Sequence, residues 1–248
     1  AVLELAQLAL SYGIGYTVDA EESDRLELSL DIIEATFSDP SLDGWEGYGL
    51  AVQAYQKRAP FVLDYLIDLA KTTGRRMPIR LVKGAYWDSE IKKAQMEGYV
   101  GYPVFTRKPN TDVSYIACAK KMLQASNVIY PMFATHNAHT IAAIYQIAKN
   151  AGLPDYEYQR LHGMGTDLYA EVIGKNDLAI PCRVYAPVGS HEDLLPYLVR
   201  RLLENGANSS FVNQIVDEDV APETVAACPL NAMERITPIP SPAIATAP

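Results

Sequence analysis

The sequence predicts an α/β fold, specifically a (βα)8 barrel of the TIM type, and three observations support this. The chain has 248 residues, of which 49% are hydrophobic, enough to bury the core of one barrel-sized domain. Short apolar segments alternate with amphipathic segments of helical period, the pattern of a parallel sheet covered by helices. Polar and aromatic residues stand where the predicted strands end, and a barrel gathers such positions around one mouth.

Seven segments have the composition of β-strands, because they are short, apolar and rich in β-branched or aromatic residues. They lie at 14–18, 49–54, 79–83, 128–135, 156–161, 182–187 and 209–213. A complete barrel has eight strands, and the leucine spacing in residues 1–11 is that of a helix preceding these seven. We therefore expect the first barrel strand to be absent from this chain.

Eight segments have the apolar spacing of helices, and several carry end signals. They lie at 1–11, 23–36, 60–72, 89–97, 111–125, 138–150, 166–174 and 191–205. Pro60 and the N-cap candidates Thr111 and Asn137 mark helix starts, and Gly152 marks a helix end. We predict a barrel domain over 1–217 and a Pro- and Ala-rich linker or docked extension over 218–248.

A doubly wound sheet is the alternative to a barrel, and the strand ends favour the barrel. The strands end at Asp19, Gln53, Lys83, 135–137, Leu161 and Tyr185. A doubly wound sheet would spread these residues along an edge, and no GxGxxG or GxxxxGK[ST] loop follows the first strand to bind a nucleotide phosphate.

Composition excludes several classes of protein. A net charge of −9 argues against a nucleic-acid surface, because phosphate binding needs clustered Lys and Arg. The three cysteines are far apart without CxxC spacing, which predicts reduced thiols in a cytoplasmic protein. No run approaches the roughly 20 apolar residues of a membrane span, so we expect a soluble catalytic body.

The segment IRLVKGAYWD, residues 79–88, places two cations in an apolar strand. Arg80 and Lys83 are three residues apart, so a regular strand points them to opposite faces unless it kinks at Gly84. They are either edge-strand cations or a positive wall for an anionic or electron-accepting ligand, because buried cations need a partner. Tyr86 and Trp87 would add flat aromatic surface beside that ligand.

Two further groups of polar residues have ordinary structural interpretations. His136 and His139 in ATHNAH lack the third and fourth ligands of a metal site, so no metal is predicted. A cofactor hydrogen bond from a histidine remains open. Acids after the first strand usually favour a helix N-terminus, which we assign to Glu21 and Glu22, whereas Asp19 is placed at the barrel mouth.

The segment LLPYLVRRLLENG, residues 194–206, has one polar and one leucine-rich helical face. Tyr197, Arg200, Arg201 and Glu204 share a stripe. One interpretation is a solvated face with an Arg200–Glu204 pair worth a few tenths of a kcal/mol. The other is a clamp in which two guanidiniums bind a substrate carboxylate, Glu204 orients one of them, and Tyr197 packs on the substrate.

Several motifs, in order along the chain, carry a family resemblance. They are VDAEESDRLE, VQAYQKR, IRLVKGAYWDSEIKKAQ, GYPVFTRK, YPMFATHNAHT, LHGMGTDLY and RVYAPVGSHEDLLPYLVRRLLENGANSSFVN. Over residues 10–215 the chain resembles the proline dehydrogenase domain of the bacterial bifunctional proline utilization flavoenzymes, the PutA family. The resemblance implies a distorted barrel with noncovalent FAD at its carboxyl face.

The resemblance also implies site residues. It implies that the substrate is contacted by Tyr86, Tyr185, Tyr197, Arg200 and Arg201. It also implies that Leu161 lines the pocket, that Glu204 pairs with an arginine, and that Asp19 supports the site from its strand end. For FAD it implies Gln53, Arg80, Lys83, Gly84, Ala85, Trp87, Thr106, Arg107, Lys108, Thr135, His136, Asn137, Gln159, Arg201, Glu204 and Phe211.

The implied reaction is oxidation of L-proline to Δ1-pyrroline-5-carboxylate by hydride transfer to flavin N5, with electrons passing to a quinone. Proline-like carboxylates are the implied inhibitors. The family also implies an aldehyde dehydrogenase domain in a longer parent chain and a cytoplasmic location, with peripheral contact at the inner face of the bacterial membrane. The rival functions are a metal-dependent hydrolase, an aldolase with Lys83 as Schiff base, and an impaired barrel fragment that only binds.

Overall fold

The fold is a curled sheet of six parallel strands with helices on its convex side. The computed structural model describes residues 1–153, 155–175, 178, 180–206 and 220–245, and the side chains of all these except 174, 175, 203–206 and 222. The strands are β1 Tyr16–Val18, β2 Tyr48–Gln53, β3 Met77–Val82, β4 Ile129–Ala134, β5 Glu157–Leu161 and β6 Cys182–Tyr185. They pair in chain order, β1 to β6, and every pair is parallel.

This half-barrel confirms the predicted α/β barrel class and six of the seven predicted strands. The seventh predicted strand, at 209–213, lies outside the described residues, as does Phe211. Because all six strands run the same way, their carboxyl ends meet along one edge. Any site built from strand-end residues therefore lies at that edge.

Helices follow the strands as the sequence predicts, with some different bounds. They are α1 Val2–Ser11, α2 Leu26–Phe37, α3 Ala59–Thr73, α4 Trp87–Met96, α5 Lys108–Gln124, α6 Ala138–Ala151, α7 Thr166–Tyr169 and α8 His191–Gly206, and two short helices, Pro222–Val225 and Pro229–Glu234, follow in the C-terminal segment. A 3₁₀ turn, Ser23–Arg25, precedes α2, and a π-helical turn, Ala170–Lys175, continues α7. The predicted single α-helix over 166–174 is therefore wrong in its second half.

The predicted N-cap at Thr111 is also wrong. Helix α5 begins at Lys108, with Arg107 as N-cap and Pro109 in its first turn. Proline is preorganised for the first helical turn and lacks the N–H that this turn leaves unpaired, so the helix begins three residues earlier. Thr111 is buried within α5. Pro60 at the start of α3 and Gly152 at the end of α6 are confirmed.

The main core lies between the convex face of the sheet and the helices. Ile79 and Leu81 of β3, Phe133 of β4 and Leu66 of α3 are fully buried there. The hydroxyl of Tyr115 on α5 lies 3.0 Å from the carbonyl oxygen of Leu81, so this buried polar group is satisfied. Within the described residues, no helix is both long and apolar enough to cross a bilayer.

The C-terminal segment contacts the start of α5. The Arg107 guanidinium donates to the carbonyl oxygens of Pro238 (2.9 Å), Ile239 (3.2 Å) and Pro240 (3.3 Å). The backbone N–H of Ser241 donates to the Thr106 hydroxyl at 3.0 Å. The division into a barrel over 1–217 and an extension over 218–248 stays a prediction, and these contacts tie the two parts together.

Asn137 caps α6, as predicted, because its side-chain oxygen accepts the Thr140 N–H at 2.9 Å. We expect Asn137→Ala to lower the free energy of unfolding by about 1 kcal/mol, because this N–H loses its acceptor. Urea denaturation measures the change. Asn137→Ser keeps a capping oxygen and is the control. Equal stability of the two variants would contradict the capping role.

Candidate active site

The strand-end residues converge on an ion pair at the mouth of the half-barrel. Asp19, which follows β1, accepts a hydrogen bond from Arg80 Nη1 of β3 at 2.8 Å. Arg80 Nε donates to Gln159 Oε1 of β5 at 2.7 Å, and the guanidinium lies 5.1 Å from the centre of the Tyr185 ring of β6. Four strands thus contribute to one cluster, as the barrel hypothesis predicted for Asp19 and Tyr185.

Below this cluster lies a buried carboxylate that the sequence analysis missed. Glu157, at the start of β5, is 2% exposed and accepts from Gln159 Nε2 at 2.6 Å. Arg183 of β6 donates to both of its oxygens at 2.9 Å, and the Tyr130 hydroxyl donates at 3.2 Å. Asp19, Arg80, Gln159, Glu157 and Arg183 therefore form one continuous chain of contacts, called here the interior network.

A sequence signal for Glu157 exists in the stretch YEYQRL. Glu157 and Gln159 alternate with Tyr156 and Tyr158. The Tyr158 hydroxyl donates to the carbonyl oxygen of Ile141 on α6 at 2.8 Å, so the tyrosines face the helices and the polar residues face the interior.

Lys83 has a different partner from Arg80. Its ammonium contacts Asp112 Oδ1 of α5 at 2.5 Å, and Lys108 contacts the other oxygen of Asp112 at 2.8 Å. Burial opposes ionisation of Asp112, but the charges of Lys83 and Lys108 outweigh it and hold the pKa of Asp112 below its usual value. Arg80 and Lys83 thus pair with different carboxylates, Asp19 and Asp112. This is as predicted, because residues three apart in a strand point to opposite faces.

His136, which follows β4, is held as a neutral imidazole. Its Nε2 accepts the backbone N–H of Leu161 at 3.1 Å, which assigns the remaining ring proton to Nδ1. Burial lowers the pKa of His136 to about 4, and the charges of Arg201 and Arg160 act in the same direction. The ring can therefore donate a hydrogen bond from Nδ1 at neutral pH.

The lowered pKa of His136 predicts a pH dependence of stability. The folded chain protonates this ring at about 4 and the unfolded chain at about 6.5. The unfolded state binds the proton more readily, so the contribution to stability is complete above 6.5 and is lost as pH falls toward 4. We expect a slope of up to about 1.4 kcal/mol per pH unit in that window.

The measurement is urea denaturation across this pH window for the protein and for His136→Gln. Burial also lowers the pKa of His139, so the difference between the two curves isolates the contribution of His136. The difference should change between pH 4 and 6.5 and be constant above it. A difference that is the same at every pH would contradict the assignment.

Helix α8 turns its arginine face toward the mouth. The Arg200 guanidinium lies 5.3 Å from the ring centre of Tyr86, which precedes α4, and Arg201 lies 5.4 Å from that of Tyr197. The charge of Arg201 acts on His136 and on Tyr185. Both arginines are half-buried.

The apolar face of α8 is the exposed one. Leu195 is 53% exposed, Leu198 48% and Leu202 72%. If the arginine face were the solvated one, these leucines would be buried. The interpretation of this helix as one with a solvated arginine face therefore does not fit. The side chain of Glu204 lies outside the described side chains, and its proposed arginine pair stays a prediction.

Tyr185 and Leu161 complete the predicted substrate side. Burial raises the pKa of Tyr185 to about 12, against the opposing charge of Arg80, so its hydroxyl is neutral and can donate. Leu161 ends β5 and is 3% exposed. Gln53 ends β2, and its amide donates to the backbone oxygen of Glu21 at 2.7 Å, which ties β2 to the loop after β1.

Other predicted cofactor residues lie around the same edge with partners of their own. The Trp87 indole N–H donates to the carbonyl oxygen of Phe105 at 2.8 Å. The Thr135 hydroxyl accepts the Asn137 N–H at 3.2 Å. Ala85 is exposed beside Gly84, whose backbone has a φ of 131° against the Tyr55 ring.

Comparison with known proteins identifies the family. The family model described as proline dehydrogenase matches residues 1–214. The chain belongs to the proline dehydrogenase family. A more distant relative, proline dehydrogenase 1, mitochondrial, of Caenorhabditis elegans, is 26% identical over 214 residues, which are 83% of this chain and 34% of the relative.

Members of this family that are much more similar are named bifunctional. Bifunctional protein PutA of Klebsiella aerogenes is 62% identical over 236 residues, which are 94% of this chain and 18% of that protein. PutA of Escherichia coli is 61% identical over the same shares. The chain thus spans less than a fifth of the length of these curated relatives.

Solved structures of this family have the same fold. A mutant of proline utilization A of Bradyrhizobium japonicum superposes with a TM-score of 0.95 at 55% identity, covering 99% of this chain and 25% of that one. Proline utilization A of Bdellovibrio bacteriovorus, inactivated by N-propargylglycine, superposes with a TM-score of 0.88 at 31% identity, covering 94% and 24%. The half-barrel is thus consistent with the distorted TIM barrel predicted from the sequence.

Proposed function

We propose that this chain oxidises L-proline to Δ1-pyrroline-5-carboxylate with noncovalent FAD, and that the electrons pass to a quinone. The observation that carries the proposal is the orientation of α8, which brings Arg200 over Tyr86 and the charge of Arg201 to act on His136, and leaves its leucines outside. Two adjacent guanidiniums suit a carboxylate, because they can fork onto its two oxygens.

The donor set at the mouth fits a flavin. Arg80 offers a cation there, and the neutral ring of His136 offers an N–H. Lys83, at the end of β3, is proposed as a further FAD contact, and its ammonium pairs with Asp112. Positive charge and N–H donors are what stabilise a cofactor that gains negative charge when reduced. The remaining FAD contacts implied by the family resemblance are proposed with these three.

The residues of this chain would bind and orient the substrate. Bound FAD supplies the hydride acceptor. Arg200 and Arg201 hold the proline carboxylate, which fixes the position of the ring, and Tyr86 and Tyr197 offer flat surfaces against it. Tyr185 stays protonated and can donate, while Asp19 keeps Arg80 in place. No protein nucleophile is needed for this chemistry.

The ion pair of Lys83 disfavours the aldolase alternative. A Schiff base requires the neutral amine, whereas contact with the Asp112 carboxylate favours the charged ammonium. Among the described residues, no group of three or more His, Cys, Asp or Glu could hold a metal ion.

The parent protein is proposed to carry further functions. Its relatives are named bifunctional and are several times longer, which supports an aldehyde dehydrogenase domain beyond this segment. Quinone reduction, peripheral contact with the inner face of the membrane and a cytoplasmic location belong to the same proposal, as do proline-like carboxylate inhibitors.

A visible spectrum tests the proposal. The purified protein should show the absorption bands of bound flavin, and anaerobic L-proline should bleach them while D-proline should not. Absence of flavin after incubation with FAD, or a flavin that L-proline leaves oxidised, would support the impaired binding fragment instead.

A further inference from the structure

The buried carboxylate of Glu157 has no role in the proposed chemistry, yet it lies directly beneath it. It makes contacts to Gln159, Arg183 and Tyr130, and all of these groups donate to it. Glu157 is 2% exposed and Gln159 is 1% exposed, so water cannot replace either partner. The carboxylate is therefore a fixed, acceptor-only surface facing the Gln159 amide.

That surface determines which way the Gln159 amide points. An amide has two N–H donors at one end and an oxygen acceptor at the other. Facing an acceptor-only carboxylate, the nitrogen end must turn toward Glu157, and the contact is 2.6 Å. The oxygen end then faces Arg80 Nε, which can only donate, at 2.7 Å. A flipped amide would oppose like groups at both ends.

The orientation of Arg80 depends on this amide. With Nε held by Gln159, the guanidinium directs Nη1 to Asp19 at 2.8 Å and stacks over Tyr185. Arg80 is the cation that the proposed function places toward the cofactor. Two contacts separate Glu157 from Arg80, and the hydrogen-bonded route between them runs through Gln159.

We propose that Glu157 is a positioning residue that fixes the Gln159 amide and through it the guanidinium of Arg80. Its effect on the flavin rests on the proposed function, whereas its effect on Arg80 does not. Arg183 balances the charge of Glu157 from the solvent side, because its side chain is 62% exposed while that of Glu157 is 3% exposed.

The test compares Glu157→Gln with Arg183→Lys. Glu157→Gln keeps the shape but provides an amide that donates or accepts, so Gln159 is then oriented at one end only, by Arg80. Arg183→Lys keeps the carboxylate and a cation beside it, so Gln159 stays fixed. Both variants weaken the Glu157–Arg183 pair, and thermal unfolding compares their stability. Only Glu157→Gln should disturb Arg80.

The first readout needs no cofactor. In the FAD-free protein the ¹⁵N resonance of Arg80 Nε–H, assigned by its loss in Arg80→Lys, should be a single slowly exchanging signal in the parent protein and in Arg183→Lys. In Glu157→Gln it should broaden or split. An unchanged signal in Glu157→Gln, or the same change in both variants, would overturn the proposal.

The second readout is the affinity for FAD and the flavin spectrum. We expect FAD affinity to fall about tenfold or more in Glu157→Gln, the size of loss seen when residues that orient the ligands of metal sites are replaced. In Arg183→Lys it should stay within about threefold. A parent protein that binds no FAD contradicts the proposed function alone. If Glu157→Gln does not fold, the double variant with Arg183→Gln, which leaves no unmatched charge, takes its place.

Discussion

Arg201→Met should raise the KM for L-proline at least about 30-fold, with Arg200→Met giving a loss of the same order. Truncating one member of a buried charge pair costs about 2 to 5 kcal/mol, because the partner charge is left without its counterpart. Here the unmatched charge is the substrate carboxylate. FAD binding should be affected less than proline binding, because Arg80 and Lys83 remain. Steady-state kinetics across L-proline concentrations measures the effect.

Arg76→Met is the matched control for this experiment. Arg76 also lies over a tyrosine, 5.1 Å from the ring centre of Tyr130, but it precedes β3 and so stands at the amino end of the sheet. Its loss removes this contact and the 2.5 Å ion pair with Asp155, both at the amino end of the sheet, and KM should stay within about threefold. Unchanged steady-state constants in either Arg200→Met or Arg201→Met would remove the clamp from the proposal.

Gly84→Ala should lower the free energy of unfolding by about 2 to 5 kcal/mol. The backbone at Gly84 has a φ of 131°, where a side chain is strained. An added Cβ would lie 2.4 Å from Cδ1 and 2.5 Å from Cγ of Tyr55, which is 2% exposed. Urea denaturation gives the change in stability.

Gly98→Ala separates the backbone strain from the contact. Gly98 also has a positive φ, of 67°, but an added Cβ there would meet nothing within 4 Å. We expect about 1 to 2 kcal/mol for this variant, from the left-handed backbone alone. Equal losses at the two glycines would mean that the Tyr55 ring moves aside freely, which would contradict close packing at the end of β3.

Much of the fold could be predicted because parallel strands that are buried on both faces are short apolar segments rich in β-branched or aromatic residues. Six strands were placed within a few residues, and the spacing of Arg80 and Lys83 gave their divergent directions correctly. Helix ends were predicted well where one residue decides them, as at Asn137. Thr111 failed because a stronger local signal, Pro109, starts the helix earlier.

The interior network could not be predicted, because it depends on distance rather than on local pattern. Glu157 and Arg183 are 26 residues apart, and only the pairing of β5 with β6 brings them together. The amphipathic pattern of α8 predicted one polar and one leucine-rich face, but not which of them faces the mouth of the half-barrel. A helix over a cofactor site can turn its polar face inward.

The chain-ordered pairing of the strands also bears on how the sheet forms. Each strand contacts the next along the chain, so no pairing has to wait for a distant segment. The longest stretch of chain between paired residues, from Met77 to Ile129, is roughly twice as long as the shortest, from Tyr158 to Cys182. Each doubling of loop length costs only about 0.6 kcal/mol of closure entropy. Every neighbouring pair can therefore close at a similar cost, and assembly can proceed from the N-terminal side during synthesis, which pulse-labelled hydrogen exchange on stalled nascent chains can follow.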